Sequence, residues 1–587
     1  MAGTDCGIDS AGRSSIWQGH SLIEGQAAGK VLFSDVGLSF WGGVDPLTGM
    51  VIDHHHPLFG QCISGTMLAI PSGRGSCTGS CVMLELILNK VAPAALIFEQ
   101  DETILPLGVM IAQEIYGQSL PVLHLAKERF AALADAQQAS LSDGRLTTHR
   151  ADQTASETLI ATVPPMAVNP IALSDHDVAM LRGDHGEGAK LAMGIVTRMA
   201  GLMGAEQLID VTKAHIDGCI YIGPGGLDFA QRLCAMGAKV AVPTTLNAIS
   251  IDRRHWRAQG IPSELGEPSE RLAAAYTGMG AAASFTCAPY LLQNPPVYGE
   301  AIVWAESNAV VYANSVIGAR TLKYPDYLDI CVAITGRAPL TGCYRDEERK
   351  PELVIDVASL KGIDESFYPL LGHHIGMMAP TAIPLITGLE HLTPDKDDLK
   401  AFGAAFATTS AAPMFHILGI TPEAGQHRDH GMQLPQLTVS AEDLCRSWQE
   451  LNSAQSTSID LIAIGNPHAS CEELGTIAQL SALHGGSCSI PVVITCGRGE
   501  YRKAHEAGYI GTLERFGVQF VNDTCWCMLT EPVIPPTARV IMTNSGKYAH
   551  YAPGLVGRSM RFGSLEDCIK AASGMQLEPS PPRWLLS

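Results

Sequence analysis

The segment Ser72-Gly73-Arg74-Gly75-Ser76-Cys77-Thr78-Gly79-Ser80 joins the apolar run Thr66-Met67-Leu68-Ala69-Ile70 to a helical pattern over residues 81–90. Pro71 closes the run, and Val82, Leu84, Leu86, Ile87 and Leu88 supply the apolar side chains of the helix. A short strand, a glycine-rich turn and a helix in this order predict an α/β architecture. The pattern recurs on both sides. Gly29–Ser34, Ala95-Leu96-Ile97-Phe98 and Leu120-Pro121-Val122-Leu123 read as further strands. Downstream, Cys219–Ile222, Lys239–Val242, Leu353–Ile355, Leu461–Ile464, Val492–Ile494, Val518–Val521 and Val540–Met542 do the same. Most of these runs end at Gly, Pro or Thr. Ligands in open α/β sheets sit at the carboxyl ends of the strands, so the chemistry is sought in the loops that follow them.

Residues 151–173, polar and then marked by Pro164, Pro165 and Pro170, read as a linker between a small domain at 1–150 and a large region at 174–587. Ser174-Asp175-His176-Asp177 carries helix N-cap chemistry. A second helix is expected over residues 189–203. The polar stretches 391–400 and 421–450 are expected on the surface, and no repeat of 20–50 residues is visible.

Composition narrows the function. The chain has 587 residues, 46% of them hydrophobic, which excludes global disorder. Its net charge of −20 argues against nucleic acid as a partner, while leaving room for a local cationic pocket. Residues 1–6 show no export signal, and no apolar run is long enough to span a membrane. With sixteen scattered cysteines, this predicts a reducing, cytoplasmic location. Most of the cysteines read as small buried apolar residues and a minority as metal or iron–sulfur ligands.

Several loops carry candidate chemistry. In the 72–80 loop, glycines allow close approach to a ligand and Arg74 suits a carboxylate. Ser76 or Ser72 could be an acid–base hydroxyl there, and the missing Gly-Lys-Ser/Thr ending disfavours nucleotide; the alternative is a tight structural turn. Three cysteine loops follow: Phe285–Tyr290 with Cys287, Gly465-Asn466-Pro467-His468-Ala469-Ser470-Cys471, and Asn522-Asp523-Thr524-Cys525-Trp526-Cys527. Single cysteines at separate strand ends suit a cluster with an exposed iron better than structural zinc. Lys213, His215 and Asp217 read equally as a substrate-contacting set or a surface segment. Ser545 and Lys547 could grip an anion or simply begin a helix. His54-His55-His56 reads as a solvated or partly packed loop, and Gly223-Pro224-Gly225-Gly226 as a turn that starts a helix.

Taken together, Pro71–Ser80, Lys213–Gly218, Thr286–Tyr290, Gly465–Glu473, Asn522–Cys525 and Asn544–Pro553 resemble the corresponding loops of the aconitase X family, in the same order along nearly the whole chain. The resemblance implies a large multi-layer α/β body with parallel sheets plus a small N-terminal swivelling β/α domain. The order of the two parts resembles the family's single-chain type. That implies a hydro-lyase acting on cis-3-hydroxy-L-proline to give Δ1-pyrroline-2-carboxylate, with no obligatory second subunit. The alternatives are dehydration of mevalonate 5-phosphate or another hydroxy acid, or an inactive iron-sensing regulator. The resemblance also implies an iron–sulfur cluster, [2Fe–2S] favoured over [4Fe–4S] or [3Fe–4S]. Its implied ligands are Cys287, Cys471 and Cys525, with Cys527 in reserve, since Ala469 stands where two-chain relatives place a cysteine. Ser76, with Ser72 competing, takes the base role, and Lys213 and His215 are further catalytic candidates. Arg74, Gly75, Asp217, Asn466, His468, Ser545 and Lys547 are the expected substrate contacts.

Overall fold

The structure is a computed structural model that describes residues 15–149, 171–484 and 486–586. Residues 1–6, and residues 151–170 of the expected linker, lie outside the described residues.

Residues 15–149 build one eight-stranded sheet. Its spatial order is Ser15–Gln18, Arg145–His149, Gln138–Ser142, Gln26–Phe33, Met67–Ile70, Ala95–Phe98, Val122–His124, His20–Ile23. The strands from Gln26–Phe33 to Val122–His124 are parallel, and antiparallel strands flank them on both sides. Met67–Ile70 and Ala95–Phe98 are buried along their whole length, as continuous apolar runs in parallel sheets require. The helices Gly79–Leu88 and Ile104–Tyr116 pack on each other, with Gly108 against the backbone of Ser80, where a Cβ would come within 2.4 Å of its carbonyl oxygen.

The rest of the chain adds three parallel sheets. One has Thr244–Leu246, Ala214–Ile216 and Val303–Trp304. A second runs His416–Ile417, Pro384–Thr387, Leu353–Val357, Gln436–Val439. A third runs Val518–Val521, Val492–Thr495, Leu461–Ile464, Val540–Thr543, Ser559–Phe562. A two-stranded ribbon pairs Leu208–Asp210 with Arg337–Pro339. Ser174 caps the helix Asp175–Arg182 with a complete capping box, and residues 189–203 fall in the helix Glu187–Leu202.

Two expected strands are absent. Cys219–Ile222 is a loop that runs from buried to half-buried, and Lys239–Val242 runs half-buried to exposed. The strands there are Ala214–Ile216 and Thr244–Leu246, three residues each. Enclosure by neighbours on both sides tolerates His215 and Thr245 in them, so an apolar-run criterion passes them over. The polar stretches are not all surface either. Lys400 is buried in the helix Lys396–Thr409, and His427, Leu444 and Trp448 are buried within 421–450. No helix among the described residues is long and apolar enough to cross a membrane.

One apolar cluster runs from the N-terminal helices into the large body, from Leu38, Leu84 and Leu105 to Leu227, Tyr327 and Tyr551. Glu85 reinforces this contact from the helix Gly79–Leu88. Its Oε1 accepts the N–H of Gly225 at 2.7 Å, in the first turn of the helix Pro224–Ala235. A Cβ on Gly223 would come within 2.3 Å of the Glu85 carboxyl carbon.

Candidate active site between the N-terminal sheet and the large body

The 72–80 loop is fixed from beneath by Glu102. This buried carboxylate accepts the N–H groups of Gly73, Ile104 (2.7 Å) and Leu105 (3.3 Å), so it anchors the loop and starts the next helix together. Burial pushes its pKa up. Gly75 has φ +76°, and a Cβ there would lie 2.7 Å from the Tyr551 hydroxyl and 2.8 Å from Ser39 Oγ. Only glycine lets the loop pass this closely. The two serines then face different neighbours. Ser72 Oγ donates to Gln100 Oε1 at 3.2 Å, within its own domain. Ser76 Oγ donates to Thr78 Oγ1 at 3.1 Å, and Thr78 Oγ1 donates across the interface to Asp217 Oδ2 at 3.4 Å. Arg74 pairs with Asp53 at 2.9 Å.

Asp217 follows the strand Ala214–Ile216 at its carboxyl end. Burial and the nearby Glu306 charge raise its pKa to about 7. Its Oδ1 accepts from Asn247. Beside it Asp329 accepts the N–H groups of Asp217 (2.8 Å) and Gly218 (3.3 Å), and burial lifts it to about 6. Asp326 completes the group, its Oδ2 accepting from Cys81 Sγ at 3.3 Å and its carbonyl from Ser80 Oγ at 3.2 Å; burial pushes it well up as well. The N-terminal helix therefore starts against buried carboxyl groups that hold protons near neutrality.

The cysteine loops meet on the other side of Glu306. Cys525 is within hydrogen-bonding reach of both Cys287 and Cys527; the Cys287 contact and burial push the Cys525 thiol up to about 12, against the Cys527 contact. Cys287 Sγ accepts the His468 N–H at 3.2 Å, and Cys527 Sγ accepts from Asn466 Nδ2 at 3.1 Å. His468 is fully buried, its ring set between Thr286 Oγ1 (3.1 Å) and the Thr524 carbonyl (2.8 Å), and burial lowers its pKa to about 4. The loop is braced by Lys400, which pairs with Asp397 (2.7 Å) and Glu473. Lys547 pairs with Glu306 at 2.8 Å, and the charges of Glu306 and Cys527 push its pKa up against burial. Glu306 also accepts from Asn308, which donates to the Cys287 carbonyl at 3.0 Å.

The structure thus brings Ser76, Gly75, Arg74, Asp217, Asn466, His468, Lys547, Cys287, Cys525 and Cys527 to one interdomain region. Ser545 lies beside Lys547, where its Oγ accepts the Tyr548 N–H at 3.1 Å as a helix cap. Cys471 stands apart. It is the first residue of the helix Cys471–Leu483, with its N–H on Glu500 at 2.9 Å. The geometry therefore replaces Cys471 with Cys527 in the sulfur group. Lys213 also turns away. It pairs with Glu300 at 3.1 Å on the lining of a cleft of about 1200 Å³ that Thr286, Arg498 and Lys503 share. His215 sits behind the site, its Nδ1 2.8 Å from Thr245 Oγ1, and burial lowers it to about 3. The Gly223–Gly226 turn starts a helix, and His56 of the triple histidine packs inward, 3.0 Å from the Val36 carbonyl. Sequence reading missed Glu102, Glu306, Asp326 and Asp329. The only signal was the position of Glu306 just after the strand Val303–Trp304.

Comparison with known proteins agrees with this architecture. Family models match residues 16–148 (Aconitase X swivel domain), 170–347 (first domain), 351–449 (second domain) and 459–574 (third domain). The cis-3-hydroxy-L-proline dehydratase of Pseudomonas aeruginosa is 52% identical over 96% of this chain and 98% of its own. The phosphomevalonate dehydratase large subunit of Methanothermobacter thermautotrophicus is 34% identical over 66% of this chain and 96% of its own. A crystal structure of Thermococcus kodakaraensis aconitase X in its holo-form, 33% identical, superposes with a TM-score of 0.63, covering 68% of this chain and all of that one. The chain belongs to the aconitase X family, as one of its hydro-lyases.

Proposed function

We propose that this chain dehydrates cis-3-hydroxy-L-proline to Δ1-pyrroline-2-carboxylate in the cytoplasm, with Ser76 as the base. The observation that carries this reading is the Ser76–Thr78–Asp217 hydrogen-bond line across the domain interface, ending on a carboxyl group of pKa about 7. Ser76 takes the C2 proton, and Thr78 and Asp217 offer it an onward path. The hydroxyl on C3 leaves as water, taking up one proton in exchange for the one removed from C2, the C2=C3 enamine forms, and the ring N–H proton moves to C3 to give the cyclic imine. Arg74 orients the substrate carboxylate. A proton acceptor near neutrality suits this work better than an ordinary carboxylate. Ser72 is the weaker candidate, because its hydroxyl is spent on Gln100.

The sulfur group fits an iron–sulfur cluster. Three neighbouring thiols, two N–H groups aimed at sulfur and a buried ammonium are the donors and countercharge that thiolate ligation needs. Cys287, Cys525 and Cys527 would hold it, and [2Fe–2S] is the type we propose. Once bound, the cluster supplies a Lewis-acidic iron for the departing hydroxyl. Lys547 and the Asn466 amide balance negative charge on the sulfurs.

A zwitterionic amino acid fits the charges here better than a phosphate. Arg74 and Lys547, the cations brought to this region, are each already paired with a carboxylate. Full-length identity to a named dehydratase speaks against an inactive iron sensor. The test is anaerobic purification, iron and sulfide analysis, then parallel assays on cis-3-hydroxy-L-proline and mevalonate 5-phosphate. Turnover of the phosphate alone overturns the substrate assignment. Ser76→Ala is expected to lose about 100-fold or more in turnover, a general-base loss, and Ser72→Ala far less. Equal losses refute the choice of base.

A further inference from the structure

We propose a second metal site, for a borderline divalent ion such as Zn2+, formed by His416, Glu423 and His427 in the sheet that carries Leu353–Val357. One ligand atom from each residue lies within 4.8 Å of the other two, and all three residues are buried. His416 ends up here because it opens the edge strand His416–Ile417. Glu423 and His427 are brought back by the turn that follows, four residues apart at the single helical turn Ala424–His427.

The second observation is the state of the ring nitrogens. His416 Nε2 donates to the Arg349 carbonyl at 2.7 Å, which leaves Nδ1 with its lone pair; that atom is buried and has no hydrogen-bond partner. His427 Nε2 is buried and unpartnered as well, and the two rings lie 4.6 Å apart, centroid to centroid. An orphaned buried ring nitrogen is costly, and one cation satisfies both at once. A histidine whose far N–H is spent on a backbone carbonyl is oriented as metal-ligating histidines are. Burial also favours the uncharged, ligating form of both rings.

Glu423 is held on both oxygens by Arg349, at 2.9 and 2.7 Å. Arg349 is anchored in turn by the Asn314 and Cys343 carbonyls, at 3.0 and 3.1 Å. A carboxylate keeps further lone pairs when it takes such a pair, so Glu423 is aimed rather than consumed. Its charge is largely cancelled, and the site relies on imidazole. That selects against Ca2+ and Mg2+, which need several oxygen ligands. None of these residues contacts the Ser76 or cysteine groups described above, so the site is a structural clasp for this sheet.

The test uses the full chain. Wild type, His427→Gln and a Cys287→Ser/Cys525→Ser/Cys527→Ser variant are stripped with chelator, loaded with Zn2+, desalted and analysed for zinc. Wild type is expected to retain one zinc ion more than His427→Gln, and the cysteine variant, with its thiol site removed, is expected to retain one zinc ion and to gain melting temperature on zinc addition. Co2+ added to the cysteine variant is expected to give ligand-field bands without a sulfur charge-transfer band. This second readout holds even if His427→Gln misfolds. Equal zinc in wild type and a folded His427→Gln, or no Co2+ spectrum in the cysteine variant, overturns the proposal.

Discussion

Thr78→Val isolates the link between the two domains. Valine keeps the volume of threonine at a position with no solvent exposure, and the Thr78 N–H to Ser76 Oγ at 3.3 Å is a backbone contact that survives. Only the hydroxyl that accepts from Ser76 and donates to Asp217 is lost. A hydrogen bond to a charged group contributes about 1.5–3 kcal/mol. At about 1.4 kcal/mol per factor of ten, that corresponds to a fall in kcat of roughly 10- to 150-fold. The hydroxyl bonds Ser76 and Asp217, whose part in this reading is proton transfer, so KM should hold within about threefold. Thr78→Ser restores the hydroxyl and should recover most of the rate. The assay is the initial rate of water loss from cis-3-hydroxy-L-proline for all three proteins, with urea unfolding run alongside to separate lost stability from lost catalysis. If Thr78→Val keeps kcat within about twofold of wild type, or Thr78→Ser is as slow as Thr78→Val, the Ser76–Thr78–Asp217 line does no catalytic work.

Cys527→Ser should lose bound iron on anaerobic purification, whereas Cys471→Ser should keep it; iron per chain decides between them. Asp217→Asn tests the buried acid by linkage. The raised pKa means that the folded state holds this proton between about pH 4 and pH 7 while the unfolded chain has released it, so the group's contribution to stability falls as pH rises through that window and levels off above it. Urea unfolding across that range should show the asparagine variant gaining on wild type as pH increases, and parallel profiles would contradict the assignment. Gly75→Ala places a methyl against Tyr551 and Ser39 at a left-handed backbone position, at a cost of about 1–3 kcal/mol in closed-domain stability, read by thermal unfolding.

The α/β alternation was legible because parallel strands buried on both faces are continuous apolar runs, and Leu461–Ile464 and Val518–Val521 stand in the structure with the bounds read from the sequence. The same criterion failed at Ala214–Ile216, where a histidine sits inside a three-residue strand whose neighbours alone justify it. The serine loop was visible through its glycines. The choice between Ser72 and Ser76 was not, because it depends on Gln100 and Asp217, which are distant in sequence. Cys527 was held only in reserve for a similar reason. Sequence order gave one cysteine per loop, while the short turn Trp526–Met528 folds two sulfurs from one loop toward the same place. Asp326 and Asp329 carried no local mark at all. A carboxylate becomes chemically unusual only when the chain buries it beside others.

The carboxylate of Glu85 on the Gly225 amide has a consequence for how this family can be assembled. Relatives named as separate large subunits span only the later two thirds of this chain. For such proteins, a contact of this kind must supply affinity between two molecules at cellular concentration. Here both partners lie on one polypeptide, so the tether supplies the effective concentration and the contact itself can be weak. The fused chain can therefore hold its two parts together through an interface of lower intrinsic affinity than two separate molecules would need.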